Sequence, residues 1–171
     1  GVGRHEILRT TVDVVNGTPC QRISPPAPVL IEEEDLRSVA DEQRAEEFKR
    51  RARARAFAPF DLTRGPLIRF LLYRLDDETS ELVIAQHHLI SDGWSIALLL
   101  RELFASYETL KTGGSASAAA PELQYADYAV WQQELMSNPV IERQVDYWRR
   151  ELSSLVPLDL PIDRPRPAVQ T

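Results

Sequence analysis

The sequence predicts a fold of the α/β (α+β) class, in which strands and helices alternate along the chain. Some segments alternate apolar and polar residues with the period of a strand, whereas others repeat apolar residues every three or four positions, as helices do. The chain has 171 residues, of which 43% are hydrophobic, so it can bury one core. We therefore expect a sheet packed with helices around a single core.

The first two strands flank a tight turn. Residues Thr10–Val15 and Thr18–Ile23 enclose Asn16-Gly17, a pair that readily adopts the positive φ angles of a two-residue hairpin turn. Prolines at positions 25, 26 and 28 follow, and Val29–Ile31 is a short strand candidate. This region predicts a β-hairpin and then a short strand.

A helix and a second hairpin come next. Apolar spacing predicts a helix from about Leu36 to Ala56, with an apolar face formed by Ala45, Phe48, Ala52 and Ala56. Pro59 ends this helix, because proline cannot continue it. Strand patterns over Leu67–Leu75 and Leu82–His87 are separated by the polar segment 76–80. We expect these two strands to pair, so that the second one carries His87 at its end.

The second half of the chain is predicted to be mainly helical. Asp92 or Ser95 can cap a helix whose apolar stripe consists of Ile96, Leu99, Leu100, Leu103, Phe104 and Tyr107. Two further helices are expected at about Tyr125–Met136 and Val140–Leu155. Between these two and the capped helix, Lys111–Pro121 has no periodicity and predicts a flexible loop.

Composition argues against several classes of protein. The 26 acidic residues outnumber the 20 basic ones, giving a net charge of -6, so the positive surface of a nucleic-acid binder is missing. The basic run Lys49–Arg55 lies beside Glu46 and Glu47 and is interpreted as a solvated helix face. Cys20 is the only cysteine, which rules out an internal disulfide and favours the cytoplasm. No membrane association is expected, because no apolar stretch approaches the roughly 20 residues of a membrane span and no signal-peptide pattern is present.

The most informative feature is the stretch 87–93, His-His-Leu-Ile-Ser-Asp-Gly, between a predicted strand and a predicted helix. The chain has three histidines, and two of them, His87 and His88, are adjacent here. Imidazole is suited to proton transfer near neutral pH. A metal site at His87, His88 and Asp92 is not favoured, because no other histidine or cysteine lies nearby in the sequence. The stretch is therefore a candidate site for acid–base chemistry.

The His-His-x-x-x-Asp-Gly pattern resembles the active-site motif of nonribosomal peptide synthetase condensation domains, which belong to the chloramphenicol-acetyltransferase-like superfamily. Three more segments resemble that family in order and spacing: Arg4–Thr10, Phe60–Arg69, and the run from Tyr147-Trp148 to Pro165. The resemblance covers essentially the whole chain. It implies a chloramphenicol-acetyltransferase-like lobe, with a mixed β-sheet packed with helices.

Members of this family have two similar lobes, with the catalytic histidine in a tunnel between them. The present chain resembles most of the N-terminal lobe, at 1–155, followed by a proline-rich linker at 156–171 that leads toward the missing C-terminal lobe. We therefore expect an exposed apolar face on this lobe and no activity from the lobe alone.

The chemistry implied by the resemblance is amide formation in nonribosomal peptide biosynthesis. The amine of an aminoacyl thioester attacks an acyl or peptidyl thioester, and both are presented on the 4'-phosphopantetheine arms of donor and acceptor carrier proteins. The resemblance implies that the domain itself binds no cofactor and no metal. The sequence of Ser91–Ser95 most resembles that of the condensation-domain subtype that accepts an L-configured donor residue.

The resemblance assigns different roles to the histidines. His88 is the candidate catalytic residue, which would orient the attacking amine and take its proton as the C–N bond forms. His87 is expected to pack and hydrogen-bond structurally, because adjacent strand residues point to opposite faces. His5 is interpreted as a surface or packing histidine.

Four further residues are expected to support the site. The resemblance suggests that Asp92 forms an ion pair with Arg69, although a triad-like pairing of Asp92 with His88 remains an alternative. Gly93 is expected to allow a close backbone approach, either to pantetheine or within the turn. Trp94 is interpreted either as part of the tunnel wall or as a core aromatic.

Two other functions fit parts of the pattern. Glycerolipid acyltransferases carry a histidine before an aspartate at similar spacing, and there His87 would be the base, but the sequence lacks a membrane segment or a basic patch. The second alternative is a catalytically silent condensation-like module that binds carrier proteins or recruits other enzymes. An altered histidine motif would indicate such a module, whereas this motif is intact.

Overall fold

A computed structural model describes residues 2–115, 119–156, 158, 161, 163 and 164. The chain divides into two compact units, Gly1–Ala129 and Val130–Thr171. The predicted linker 156–171 lies largely outside the described residues, and the predicted loop Lys111–Pro121 lies outside them in part. No helix in the described ranges is long and apolar enough to cross a membrane.

Strands and helices alternate as predicted. After a 3₁₀ turn at Glu6–Arg9, the elements are β1 (Thr10–Val15), β2 (Thr18–Ile23), β3 (Ile31–Asp35), α1 (Asp41–Ala56), β4 (Ile68–Arg74), β5 (Ser80–Gln86), α2 (Gly93–Lys111), α3 (Tyr125–Met136) and α4 (Pro139–Glu151). The strands β1 and β2 pair antiparallel, whereas β3, β4 and β5 form a mixed sheet in that order. Strand β4 is parallel to β3 and antiparallel to β5. The predicted class, a mixed sheet packed with helices, is confirmed.

The first hairpin has the predicted turn. Asn16 and Gly17 adopt φ angles of 52° and 80°, as a type I′ turn requires at both central positions. The register runs from the pair Thr10–Ile23 to the pair Val15–Thr18. The Asn-Gly pair thus accounts for both the turn and the register of β1 and β2.

The core is organised around β4, whose alternate side chains enter two apolar clusters. Ile68 and Phe70 belong to a cluster that includes Leu99 of α2, whereas Leu71 and Tyr73 pack with α1. Successive residues of a strand point to opposite faces, so α1 and α2 contact opposite faces of the sheet. The second hairpin therefore carries the residues after β5 to the α2-side cluster, in which Ile90 is buried.

Strand β3 was predicted at Val29–Ile31, but the structure places it at Ile31–Asp35. The prediction was wrong because the strand consists mostly of acidic residues, which the apolar pattern disfavours. These charges are compensated by α1: Glu34 pairs with Arg51 at 2.5 Å, and Glu32 pairs with Arg55. Strand β3 is thus held by its parallel pairing with β4, and the arginines of α1 offset the charge of its acidic side chains.

Two helix boundaries also differ from prediction. Helix α1 begins at Asp41 and not at Leu36, because Leu36 is fully buried in a turn and its N–H donates to the carbonyl of Arg74 at 2.9 Å. Helix α4 ends at Glu151 and not at Leu155. Helices α2 and α3 begin close to the predicted positions, and Asp92 caps α2.

Gly65 is required by its surroundings. Its φ angle is +48°, and a Cβ added there would lie 2.6 Å from Cγ2 of Thr11. We expect Gly65→Ala to destabilise the fold by about 1–3 kcal/mol in urea unfolding, because it adds both left-handed strain and a clash. The matched control is Gly3→Ala, since a Cβ on Gly3 would meet nothing within 4 Å. Equal stability of the two variants would contradict this explanation.

Candidate active site

The two adjacent histidines lie at the end of β5, where the strand turns toward α2. The N–H of His87 donates to the carbonyl of Leu67 at 2.9 Å, which extends the β4–β5 ladder by one bond. The N–H of Ile90 then donates to the carbonyl of His87 at 3.1 Å and closes the turn. Ile90 itself is buried in the α2-side core cluster. The turn is therefore held at both ends.

His87 is partly buried and has defined contacts. Its Nδ1 accepts a hydrogen bond from the N–H of Leu89 at 3.0 Å. Its ring lies edge-to-face with Phe60, with centroids 6.1 Å apart and planes at 87°. Because Nδ1 acts as an acceptor, neutral His87 carries its proton on Nε2. The structure thus places His87 in the packed, hydrogen-bonded environment predicted for it.

His88 is exposed and faces a small cavity. The cavity has a volume of about 150 Å³ and is lined by Ile7, His88, Leu89, Ile90, Ser91, Asp92, Ser95 and Tyr125. None of the hydrogen bonds among the described residues involves the imidazole of His88, so its ring nitrogens are available to a ligand. The adjacent histidines therefore differ: one is packed and the other is accessible.

Asp92 caps helix α2. Its Oδ1 accepts hydrogen bonds from the N–H of Ser95 at 2.8 Å and from the Ser95 hydroxyl at 2.7 Å. These bonds, the side-chain one most of all, lower the pKa of Asp92, and the positive charge of His88 contributes a smaller effect. A carboxylate at a helix N-terminus also interacts favourably with the helix dipole. Asp92 therefore fixes where α2 begins, directly after the histidine turn.

The predicted ion pair between Asp92 and Arg69 is wrong. Arg69 donates instead to three backbone carbonyls at the end of α1: Ala58 at 2.6 Å, Pro59 at 2.6 Å and Arg55 at 3.3 Å. The reason is the alternation of β4, since Arg69 shares the α1 face with Leu71, whereas Asp92 begins the helix on the other face. Within the described residues, no hydrogen bond joins Asp92 to His88 either, so the triad-like alternative gains no support.

Gly93 and Trp94 begin α2 just beyond the cap. The turn does not need a glycine, because a Cβ on Gly93 would meet nothing within 4 Å and its φ angle is ordinary. Of the two predicted reasons for Gly93, a close approach by a ligand therefore remains. Trp94 is 85% exposed, so its interpretation as a core aromatic is wrong.

The Arg4-His5-Glu6 segment is tied to α2 by a polar cluster. Nε2 of His5 and Nη1 of Arg4 each lie 2.9 Å from Oε2 of Glu102. Burial raises the pKa of Glu102, but the hydrogen bond with His5 and the charges of His5 and Arg4 outweigh it and lower that pKa overall. His5 therefore has the packing role predicted for it, with Glu102 as its partner.

Sequence reasoning missed Tyr125 as a residue of the site. The helix start at Tyr125 was predicted, but nothing in the spacing connects it with the distant residue His88. The connection comes from Gln124, whose side-chain amide donates to the carbonyl of Arg4 and accepts from the N–H of Glu6, both at 3.0 Å. This anchor places Tyr125 at the wall of the His88 cavity.

The described residues contain no group of three or more histidine, cysteine or acidic side chains that could hold a metal ion. The turn presents an accessible imidazole at His88, hydroxyl groups at Ser91 and Ser95, and backbone amides. This set is suited to orienting a nucleophile and accepting its proton.

The chain matches a known protein family and several known proteins over nearly its whole length. A family model described as "Condensation domain" matches residues 1–171. Chondramide synthase cmdD of Chondromyces crocatus is 42% identical over 170 residues, which are 99% of this chain and 4% of that protein. Phosphinothricin tripeptide synthetase PhsC of Streptomyces viridochromogenes is 41% identical over 169 residues, which are 98% of this chain and 16% of that protein.

Solved structures show the same fold. The X-domain from teicoplanin biosynthesis has a TM-score of 0.79 and 33% identity, over 98% of this chain and 37% of that one. The same domain is also known in a complex with OxyB. The present chain thus spans only a small part of the synthetases and less than two fifths of the X-domain that it matches.

The cap at Asp92 makes a testable prediction about stability. Asp92→Ala removes the acceptor for both groups of Ser95, so we expect the first turn of α2 to fray and the melting temperature to fall in circular dichroism. Asp92→Ser is the matched control, because serine keeps a cap acceptor but not the charge, and we expect its loss to lie between those of wild type and Asp92→Ala. An equal loss in both variants would show that the charge of Asp92 matters and the cap does not.

The lowered pKa of Asp92 also predicts a pH dependence. Its stabilising effect is fully present above the unfolded value of 3.8 and is lost as the pH falls through the lower pKa of the folded state. In urea unfolding, the advantage of wild type over Asp92→Ala should therefore shrink between neutral pH and about pH 3. A difference that stays constant over this range would contradict the role of the ionised cap.

Proposed function

Since the chain belongs to the condensation-domain family, we propose that it supplies the histidine-bearing lobe of an acyltransferase that forms peptide bonds in nonribosomal peptide biosynthesis. The observation that carries this proposal is the asymmetry of the two histidines. His87 is fixed by Leu89 and Phe60, whereas His88 lines an open cavity and no hydrogen bond among the described residues involves its imidazole. A reacting amine can therefore approach His88.

The proposed reaction transfers the acyl group of the donor thioester to the amine of the acceptor aminoacyl thioester. The amine of an acceptor aminoacyl group attacks the carbonyl carbon of the donor thioester, the C–N bond forms, the C–S bond breaks, and the donor pantetheine leaves as a thiol. An α-amino group has a pKa of about 7.7–8.0, so roughly a tenth is already neutral near pH 7, and freeing the rest costs only about 1–1.4 kcal/mol, which does not require a strong base. His88 would orient the amine and accept its proton as the bond forms.

The other residues of the site support His88 in this proposal. His87 holds the turn, Asp92 fixes the start of α2 beside it, and Arg69 anchors the opposite face of the sheet. Gly93 leaves room for the pantetheine arm, and Trp94 contributes an exposed aromatic surface to the tunnel wall. None of these residues needs to exchange a proton with substrate.

The proposed partners follow from the same chemistry. Donor and acceptor carrier proteins would present their substrates on 4'-phosphopantetheine, and a C-terminal lobe would complete the tunnel. The domain itself would bind no further cofactor, and the Ser91–Ser95 sequence favours an L-configured donor residue. The exposed free thiol of Cys20 suits a reducing compartment, so we place the enzyme in the cytoplasm.

A second candidate function is supported by one comparison. The X-domain from teicoplanin biosynthesis has this fold and forms a complex with OxyB. A recruitment module would need no accessible base, and substitution of His88 would leave its partner binding intact. The intact His-His-x-x-x-Asp-Gly stretch favours the catalytic proposal.

The proposal is tested by His88→Ala in the complete domain that contains this chain, with donor and acceptor carrier proteins loaded. We expect the rate of amide formation to fall by about 10²- to 10⁴-fold, because positioned proton transfer is lost. The product is measured by mass spectrometry of the acceptor carrier protein. His5→Gln is the matched control, since it removes an imidazole outside the cavity and keeps a donor for Glu102.

Two results would contradict the proposal. A nearly unchanged rate in His88→Ala, with an active wild type, would show that His88 is not the catalytic residue. A wild-type domain that binds a partner enzyme but forms no amide with any loaded carrier pair would favour the recruitment module.

A further inference from the structure

Phe60 contacts the side chains of both Arg69 and His87. The guanidinium carbon of Arg69 lies 3.8 Å from the centroid of the Phe60 ring. The His87 ring meets the same phenyl ring edge-to-face, with centroids 6.1 Å apart. Phe60 is itself partly buried and packs against the α2-side core cluster. The phenyl ring therefore links a fixed cation to the first histidine of the pair.

Arg69 is a rigid support for this ring. Its guanidinium nitrogens donate to the carbonyls of Arg55, Ala58 and Pro59, two of them at 2.6 Å. These carbonyls lie in the last turn of α1 and in the residues that follow it, immediately before Phe60 in the sequence. A guanidinium held by several bonds loses little further freedom when it stacks on an aromatic face. Arg69 therefore restrains the backbone just before Phe60 and also packs on the face of the Phe60 ring.

His87 transmits this support to His88. The Leu89 N–H bond to Nδ1 of His87 and the Ile90 N–H bond to the His87 carbonyl both span residue 88. The backbone direction of His88 is thus set by bonds on His87, one of them to its side chain. If the His87 ring rotated away, the Leu89 bond would break and His88 would lose part of this restraint.

We infer that Phe60 and Arg69 are positioning residues, which hold the His87 ring so that its bond to Leu89 aims His88 at the reacting amine. This inference rests on the proposed function of His88. Neither residue lies on the cavity of His88, and neither contacts the substrate in this proposal. They act only through the orientation of the turn.

The test uses Phe60→Leu in the complete domain, because leucine keeps apolar volume but offers no ring to Arg69 or His87. Hydrogen exchange of the Leu89 amide should become about tenfold faster, as expected when one hydrogen bond is lost. The kcat for amide formation should fall by about tenfold or more through misplacement of His88, with KM changed by less than about twofold.

Two further variants make the comparison specific, alongside a matched control. Phe60→Tyr keeps the ring and should restore slow exchange and most of kcat. Arg69→Lys keeps the charge but not the three carbonyl bonds, and it should change Leu89 exchange in the same direction as Phe60→Leu. Phe57→Leu is the matched control, because Phe57 is 79% exposed and stacks with Arg53 at 5.5 Å, away from His87.

Each outcome decides the inference. Unchanged Leu89 exchange in Phe60→Leu overturns it, and so does faster exchange that leaves kcat unaltered. If hydrogen exchange of the β5 amides became faster by the same factor as that of Leu89, the variant would be destabilised as a whole, and this result would also count against the inference. If Leu89 exchange responds but His88→Ala leaves the rate unchanged, the proposed function fails while the support of the turn by Phe60 stands.

Discussion

The structure depends on β4, a central strand that is buried on both faces. Ile68 and Phe70 enter the cluster that includes α2, whereas Leu71 and Tyr73 enter the cluster formed with α1. A shift of one residue in its pairing would exchange the two sets and open both clusters. The register with β5 is therefore strongly specified, and the position of the histidine turn at the end of β5 follows from it.

The same alternation divides the site between the two faces of the sheet. Arg69 points toward α1 and meets Phe60, which also contacts His87. His88 and Asp92, beyond the end of the strand, lie around a cavity that includes residues of α2. Arg69 thus acts on the turn through Phe60 and His87, whereas His88 and Asp92 border the cavity. An ion pair between Arg69 and Asp92 would have to cross this division.

The sequence predicts features that neighbouring residues determine, and it does not predict features that depend on contacts between distant segments. The Asn16-Gly17 turn and the α2 cap are local: the turn was predicted correctly, and the cap proved to be Asp92, one of the two candidates considered. The acidic strand at Glu32 depends on arginines of α1, and the partner of Arg69 depends on which face of β4 it occupies. Tyr125 reaches the site only through an anchor on a distant segment. Motif spacing carries no information about such contacts, so these features were missed or assigned wrongly.

The arrangement around His88 matches the modest demands of the proposed chemistry. Catalytic histidines that must deprotonate a hydroxyl are held by a carboxylate, which stabilises the imidazolium. Here Oδ1 of Asp92 accepts both hydrogen bonds from Ser95, and no hydrogen bond among the described residues joins an acid to the His88 imidazole. An amine nucleophile with a pKa of about 7.7–8.0 needs orientation more than a strong base. The turn supplies this orientation through the hydrogen bonds that the Leu89 and Ile90 amides donate to His87.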